Sequence, residues 1–142
     1  MTSKTIFKEN FIKTLNSFWQ IFPVILGVIL LISLSLVALP KNFYTTIFTG
    51  NKFIDPFFGA IFGSIAAGNP ITSYIIGGEL LKQGVSLLAV TAFILAWVSV
   101  GIIQLPAESL MLGRKFAITR NIISFLTTII IAVLTILTLS FL

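Results

Sequence analysis

The stretch Gly63–Leu80, GSIAAGNPITSYIIGGEL, decides how the chain is read. It sets Gly68-Asn69-Pro70, a helix breaker, near the middle of residues 57–82, a segment that is otherwise mostly apolar. The apolar residues predict a membrane helix, and the tripeptide predicts that this helix stops and restarts. Gly68 suits the left-handed conformation that ends a helix. Asn69 is a strong N-cap, and Pro70 fits the first position of the helix that follows. Thr72 and Ser73 add hydroxyls to its first turn. At about 1.5 Å per residue, the pieces 57–67 and 70–82 each cover roughly half a bilayer. Irregular backbone at that depth is tolerated only where it is buried in protein or lines a cavity. The break is therefore the leading candidate site.

Composition points the same way. Charged residues make up 9% of the chain and hydrophobic residues 57%, whereas a soluble domain carries about 25% charged residues. Mean hydropathy is +1.11. With no His and no Cys, the chain lacks imidazole bases, thiol nucleophiles and the usual zinc and iron–sulfur ligands. Glu9, Asp55, Glu79 and Glu108 are its four carboxylates, too scattered for a metal cage. The expectation is a non-enzyme without cofactor or metal. The net charge of +5 fits anchoring to anionic lipid better than nucleic-acid binding, because no soluble surface is predicted to carry a basic patch.

Outward from the break, residues 1–20 read as a basic amphipathic helix in the membrane interface. Phe7, Phe11, Leu15 and Phe18 fall on one face, and Trp19 sits at headgroup depth. Residues 21–142 read as a single transmembrane domain. The run 21–39 is longer than a signal-peptide core and lacks a small-x-small cleavage site, so it is expected to be retained as the first span. Pro23 is placed in its first turn. A loop follows over 40–56, then the broken helix 57–82, a full span over 85–105, and a last span over 122–142. Gly113-Arg114-Lys115 and Arg120 are expected to form a basic turn before that last span.

Counting positive charges separates two topologies. If the broken segment crosses, giving four spans with one discontinuous, the sides carry four and five Lys or Arg residues. If it returns as a re-entrant hairpin beside three full spans, they carry six and three. The hairpin gives the stronger bias. It implies an all-α integral protein of the cytoplasmic (inner) membrane with its N-terminus cytoplasmic.

Gly63-Ser64, Gly68-Asn69-Pro70, Tyr74, Gly77-Gly78-Glu79 and Gln104-Leu105-Pro106-Ala107-Glu108 together resemble the predicted-permease family that includes the organoarsenical efflux permeases. The resemblance covers roughly residues 57–120. Members are usually about twice this length, with two related halves, so it implies one half of a two-repeat transporter fold. The cysteine associated with arsenical permeases has no counterpart in this chain, which argues against an arsenical as the solute.

The candidate substrate-binding residues are Gly68, Asn69, Pro70, Thr72, Ser73, Tyr74 and Gln104. The N–H groups opening the second half-helix suit an anion or a polar solute. Glu79 and Glu108 are candidates for coupling or gating, since a carboxylate within a membrane segment is usually functional. Lys82, three residues after Glu79, is the expected local partner that would make Glu79 structural instead. Gly59, Gly63 and Ala67 form a small-residue face suited to close helix packing.

Three or four helices cannot easily enclose a solute path. A homodimer, parallel or antiparallel, is therefore expected to bring two broken segments together. The leading expectation is a permease subunit for a small solute, with an anion the favoured class. The alternatives are a channel-like ion-conducting dimer and a non-transporting structural subunit that docks through its glycine face.

Overall fold

The computed structural model describes residues 3–38, 43–66 and 69–141. Among these residues every regular element is an α-helix: α1 (Ser3–Ala38), α2 (Phe43–Ile47), α3 (Ile54–Ile65), α4 (Pro70–Lys82), α5 (Leu87–Ser99), α6 (Leu105–Leu112) and α7 (Arg114–Ser140). The chain divides into two units, Met1–Ala38 and Leu39–Leu142.

The first unit is the helix α1. It is continuous across the expected boundary at residue 20, so Pro23 lies inside a helix rather than in a first turn. There Pro23 has no N–H to offer the carbonyl of Trp19, one turn earlier. At 36 residues the helix is roughly 54 Å long, more than a bilayer core requires.

In the second unit α5 is the central element. Ala89, Ala92 and Ala96 on α5 are buried with Ala60 of α3 and Ala132 of α7. Gly59 packs on the backbone of Ala89, and Gly63 on that of Phe93, so residue numbers rise together and α3 runs parallel to α5. On α4, Gly77 meets Val90 and Ile94, while Leu80 lies against the cluster of Val85, Ala89 and Val90. Here the numbers run in opposition, so α4 is antiparallel to α5. The chain therefore reverses direction between α3 and α4, and each of them packs on α5.

Local chemistry makes the α4–α5 corner tight. Gly84 has a φ of 87°, its N–H donates to the Leu81 carbonyl, and the Val85 N–H donates to that of Leu80. This is a Schellman ending, with Val85 packed on Leu80. Ser86 then caps α5 by accepting from the Ala89 N–H at 3.3 Å. Before α3, Asn51 accepts from Phe53 N–H at 2.9 Å, and Asp55 and Pro56 stand in the first turn, where a carboxylate and a proline are both favoured.

Two of the described helices are long and apolar enough to cross a membrane: α1, over Glu9–Leu31, and α7, over Arg114–Ser140. The span expected over 85–105 is shorter. α5 has 13 residues, roughly 20 Å, and Val100 leaves the helix in an extended conformation. The expected basic turn differs too. Gly113, with a φ of 89°, makes the turn by itself, and Arg114, Lys115 and Arg120 already belong to α7.

Candidate functional site

The two breaks are built differently. At the first, Ala66 is extended and its N–H closes α3 on the Phe62 carbonyl. Asn69 is extended as well, and its Oδ1 accepts from the Ile71 N–H at 2.9 Å. Pro70 occupies the first turn of α4. Ser73 is buried and donates to the Pro70 carbonyl at 2.7 Å. Thr72 is half-buried, and Tyr74 is 63% exposed. This first turn thus uses its own polar side chains to satisfy itself. Gly68 and Ala67 lie outside the described residues.

The second break is held from a distance. After Val100, the Gly101 N–H donates to Asn121 Oδ1 of α7 at 2.9 Å. The Asn121 amide in turn donates to the Ala117 carbonyl at 3.0 Å and to Glu108 Oε2 at 3.2 Å. Arg120 Nη1 pairs with the other oxygen, Glu108 Oε1. At the last residue of α5, the hydroxyls of Ser99 and Thr128 lie 3.0 Å apart. Asn121 and Thr128 are buried. Each of their polar atoms therefore requires a partner in the protein, and Ser99, Gly101, Glu108 and the α7 carbonyl of Ala117 supply them.

A cleft of about 50 Å³ opens at this end of the bundle, enough for a few water-sized groups. Ala66, Trp97, Gly101, Gln104 and Arg120 line it. The end of α3 therefore meets the α5–α6 break, with the α7 cation beside both. Gln104 is exposed, and its amide lies over Gly101, where Oε1 would stand 3.1 Å from an added Cβ. Glu108 engages one nitrogen of a guanidinium that carries five N–H donors. Donors are left for a ligand oxygen.

Of the residues proposed to bind substrate, Gln104 lines this cleft, whereas Asn69, Pro70, Thr72, Ser73 and Tyr74 are not among its walls. The two candidate coupling carboxylates part company. Glu108 reaches the cleft through Arg120. Glu79 bonds to Lys82 at 3.2 Å and to Gln83 at 3.2 Å, both on its own helix or its end. It lies toward the opposite end of α4 from Asn69.

The glycine face is occupied within the chain. An added Cβ would stand 2.3 Å from the Ala89 carbonyl oxygen at Gly59 and 2.2 Å from that of Phe93 at Gly63. Both glycines are buried, so neither is open to another subunit.

Sequence reasoning passed over Arg120, Asn121 and Gly101 as site residues. The available signal was an Asn–Arg pair opening a long apolar run, where an uncompensated polar group would be costly. Asp55 was also passed over. It is 1% exposed and accepts from the Thr49 N–H at 3.0 Å and the Gly50 N–H at 2.9 Å, tying the preceding loop to α3. Among the described residues no three acidic side chains gather as a metal site. Comparison of the chain with family models, with curated proteins and with solved structures finds no match.

Proposed function

We propose that this chain is a membrane permease subunit that passes a small anionic solute beside Arg120, where the end of α3 meets the α5–α6 break. The observation that carries the reading is Arg120 itself. It lines a cleft between helix ends and is only partly engaged by Glu108. A guanidinium with spare donors is suited to a carboxylate or oxyanion. The two long apolar helices support membrane insertion. The reversal between α3 and α4 supports a hairpin that enters and leaves on one side. That arrangement agrees with the six-to-three division of positive charge, with the Arg120 end of the bundle cytoplasmic.

In this reading the solute first replaces or shares Glu108 on Arg120, and Glu108 acts as a gate rather than as a proton carrier. Asn69 and Pro70 hold the tip of the hairpin in shape. The cleft of one chain is small and open, so a homodimer, parallel or antiparallel, completes the path. The burial of Gly59 and Gly63 against α5 counts against a scaffold that docks through that face.

The test is uptake of labelled phosphate, sulfate, acetate and formate into proteoliposomes holding the full chain. Saturable uptake of at least one anion is expected, with a loss of ten-fold or more in Arg120→Gln. Uptake by Arg120→Gln equal to that of the unaltered chain, or no uptake of any of the four, would overturn the reading. Unitary conductance steps in planar bilayers would favour the ion-conducting alternative.

A further inference from the structure

We propose a second site, at the opposite end of the bundle: a groove between the start of α5 and the end of α7 that holds one anionic phospholipid. The proposal rests on the membrane reading above but not on Arg120.

The groove has a volume of about 590 Å³. Its walls are apolar, formed by Leu87 and Leu88 of α5 with Val133, Ile136 and Leu137 of α7. Its polar groups gather at one end. Lys52 comes from the loop before α3, Ser86 from the α4–α5 corner and Ser140 from the last turn of α7. An apolar trough with a cation at its mouth matches a molecule with an alkyl chain and a negatively charged head.

The hydrogen bonds at the mouth narrow the head to an acceptor. Asp55, the nearest carboxylate in sequence, already accepts from Thr49 and Gly50, and among the described residues Lys52 makes no ion pair. Ser86 Oγ accepts from the Ala89 N–H, which leaves its own proton to donate. Ser140 spends its proton on the Leu137 carbonyl at 2.7 Å. An ammonium and one hydroxyl at the groove therefore keep donors to offer, a pair suited to phosphate oxygens.

A second copy of this chain is the weaker occupant on charge. Glu79 and Glu108 are paired with Lys82 and Arg120, and Asp55 is buried. Among the described carboxylates Glu9 of α1 alone is exposed and outside these pairs, a single acid to meet Lys52.

The experiment is native mass spectrometry of the full chain in detergent with equal amounts of dioleoyl phosphatidylglycerol and dioleoyl phosphatidylcholine. The expected result is preferential retention of one phosphatidylglycerol. That preference falls about five-fold in Lys52→Ala, as for one basic residue near a charged headgroup. Leu137→Trp, which fills the trough, loses retention of both lipids. Arg120→Gln, which tests the solute path, leaves retention unchanged, so the two sites fail separately. Equal retention of the two lipids, or undiminished preference in Lys52→Ala, would overturn the lipid site. Extraction of the chain from membranes by alkaline carbonate would overturn the membrane reading and the lipid site together.

Discussion

Asn121 of α7 accepts the N–H of Gly101 at 2.9 Å, across 20 positions of sequence. The bond ends α5 and seats the α5–α6 break against the helix that returns beside it. Asn121→Leu removes this acceptor and also leaves Glu108 without its second donor. Two part-buried groups then lose partners, a loss of up to about 1–3 kcal/mol for each group left unsatisfied. The expected outcome is a fall in stability of about 2 kcal/mol or more, read from unfolding in mixed micelles titrated with sodium dodecyl sulfate. A change below about 0.5 kcal/mol would show that the bond does not hold the break.

Gly59→Ala and Gly63→Ala test the α3–α5 crossing. The added methyl meets carbonyl oxygens of Ala89 and Phe93 at 2.3 and 2.2 Å, and a backbone carbonyl cannot swing aside as a side chain can. Each substitution is expected to lower stability by about 1–3 kcal/mol in the same titration. Gly78→Ala is the control. Nothing lies within 4 Å of its added methyl, and alanine is the better helix former by about 1 kcal/mol. Equal effects at Gly63 and Gly78 would contradict the packing.

Asn69 allows a cap to be separated from a solute ligand. Asn69→Ala should destabilise the chain by about 1 kcal/mol, while Asn69→Asp keeps an acceptor for the Ile71 N–H and should be nearly neutral. If Asn69 acts only through the cap, proteoliposome uptake follows stability: reduced in the alanine variant and retained in the aspartate one. Uptake lost in both, with stability retained in Asn69→Asp, would place the side chain on the solute instead.

Asp55→Asn probes the loop before α3. The new amide has one acceptor oxygen where the carboxylate had two, and the Thr49 and Gly50 N–H groups bond to different oxygens. One donor loses its partner, for about 1–3 kcal/mol. Limited proteolysis over residues 43–53 should proceed several-fold faster in the variant. An unchanged cleavage rate would show that the carboxylate does not restrain the loop.

Local features of this chain were legible because their causes are local. The Asn69 cap and the Pro70 restart each depend on atoms within a few positions, and so does the Glu79–Lys82 pair at spacing three. The apolar composition likewise predicted helices throughout. The limits of α5 were not legible. Residues 85–105 read as one apolar run, and nothing nearby in sequence ends it before Gly101. The candidate site divided along the same line. Gln104 and Glu108 stood out by type, whereas Arg120 looked like an interfacial charge until α7 placed it beside Ala66 and Gly101.

By itself the sequence determined that the chain restarts at Asn69-Pro70 as a capped helix, because a cap is written in neighbouring residues, whereas α3 already ends at Ile65. Only the tertiary structure decided the direction in which the restarted helix runs. Gly59 and Gly63 set α3 parallel to α5, and the Gly84 corner sets α4 antiparallel to it. Only the tertiary structure, too, brought Asn121 to Gly101. Direction and convergence depend on how helix surfaces meet across long separations, and no short stretch of residues contains that information.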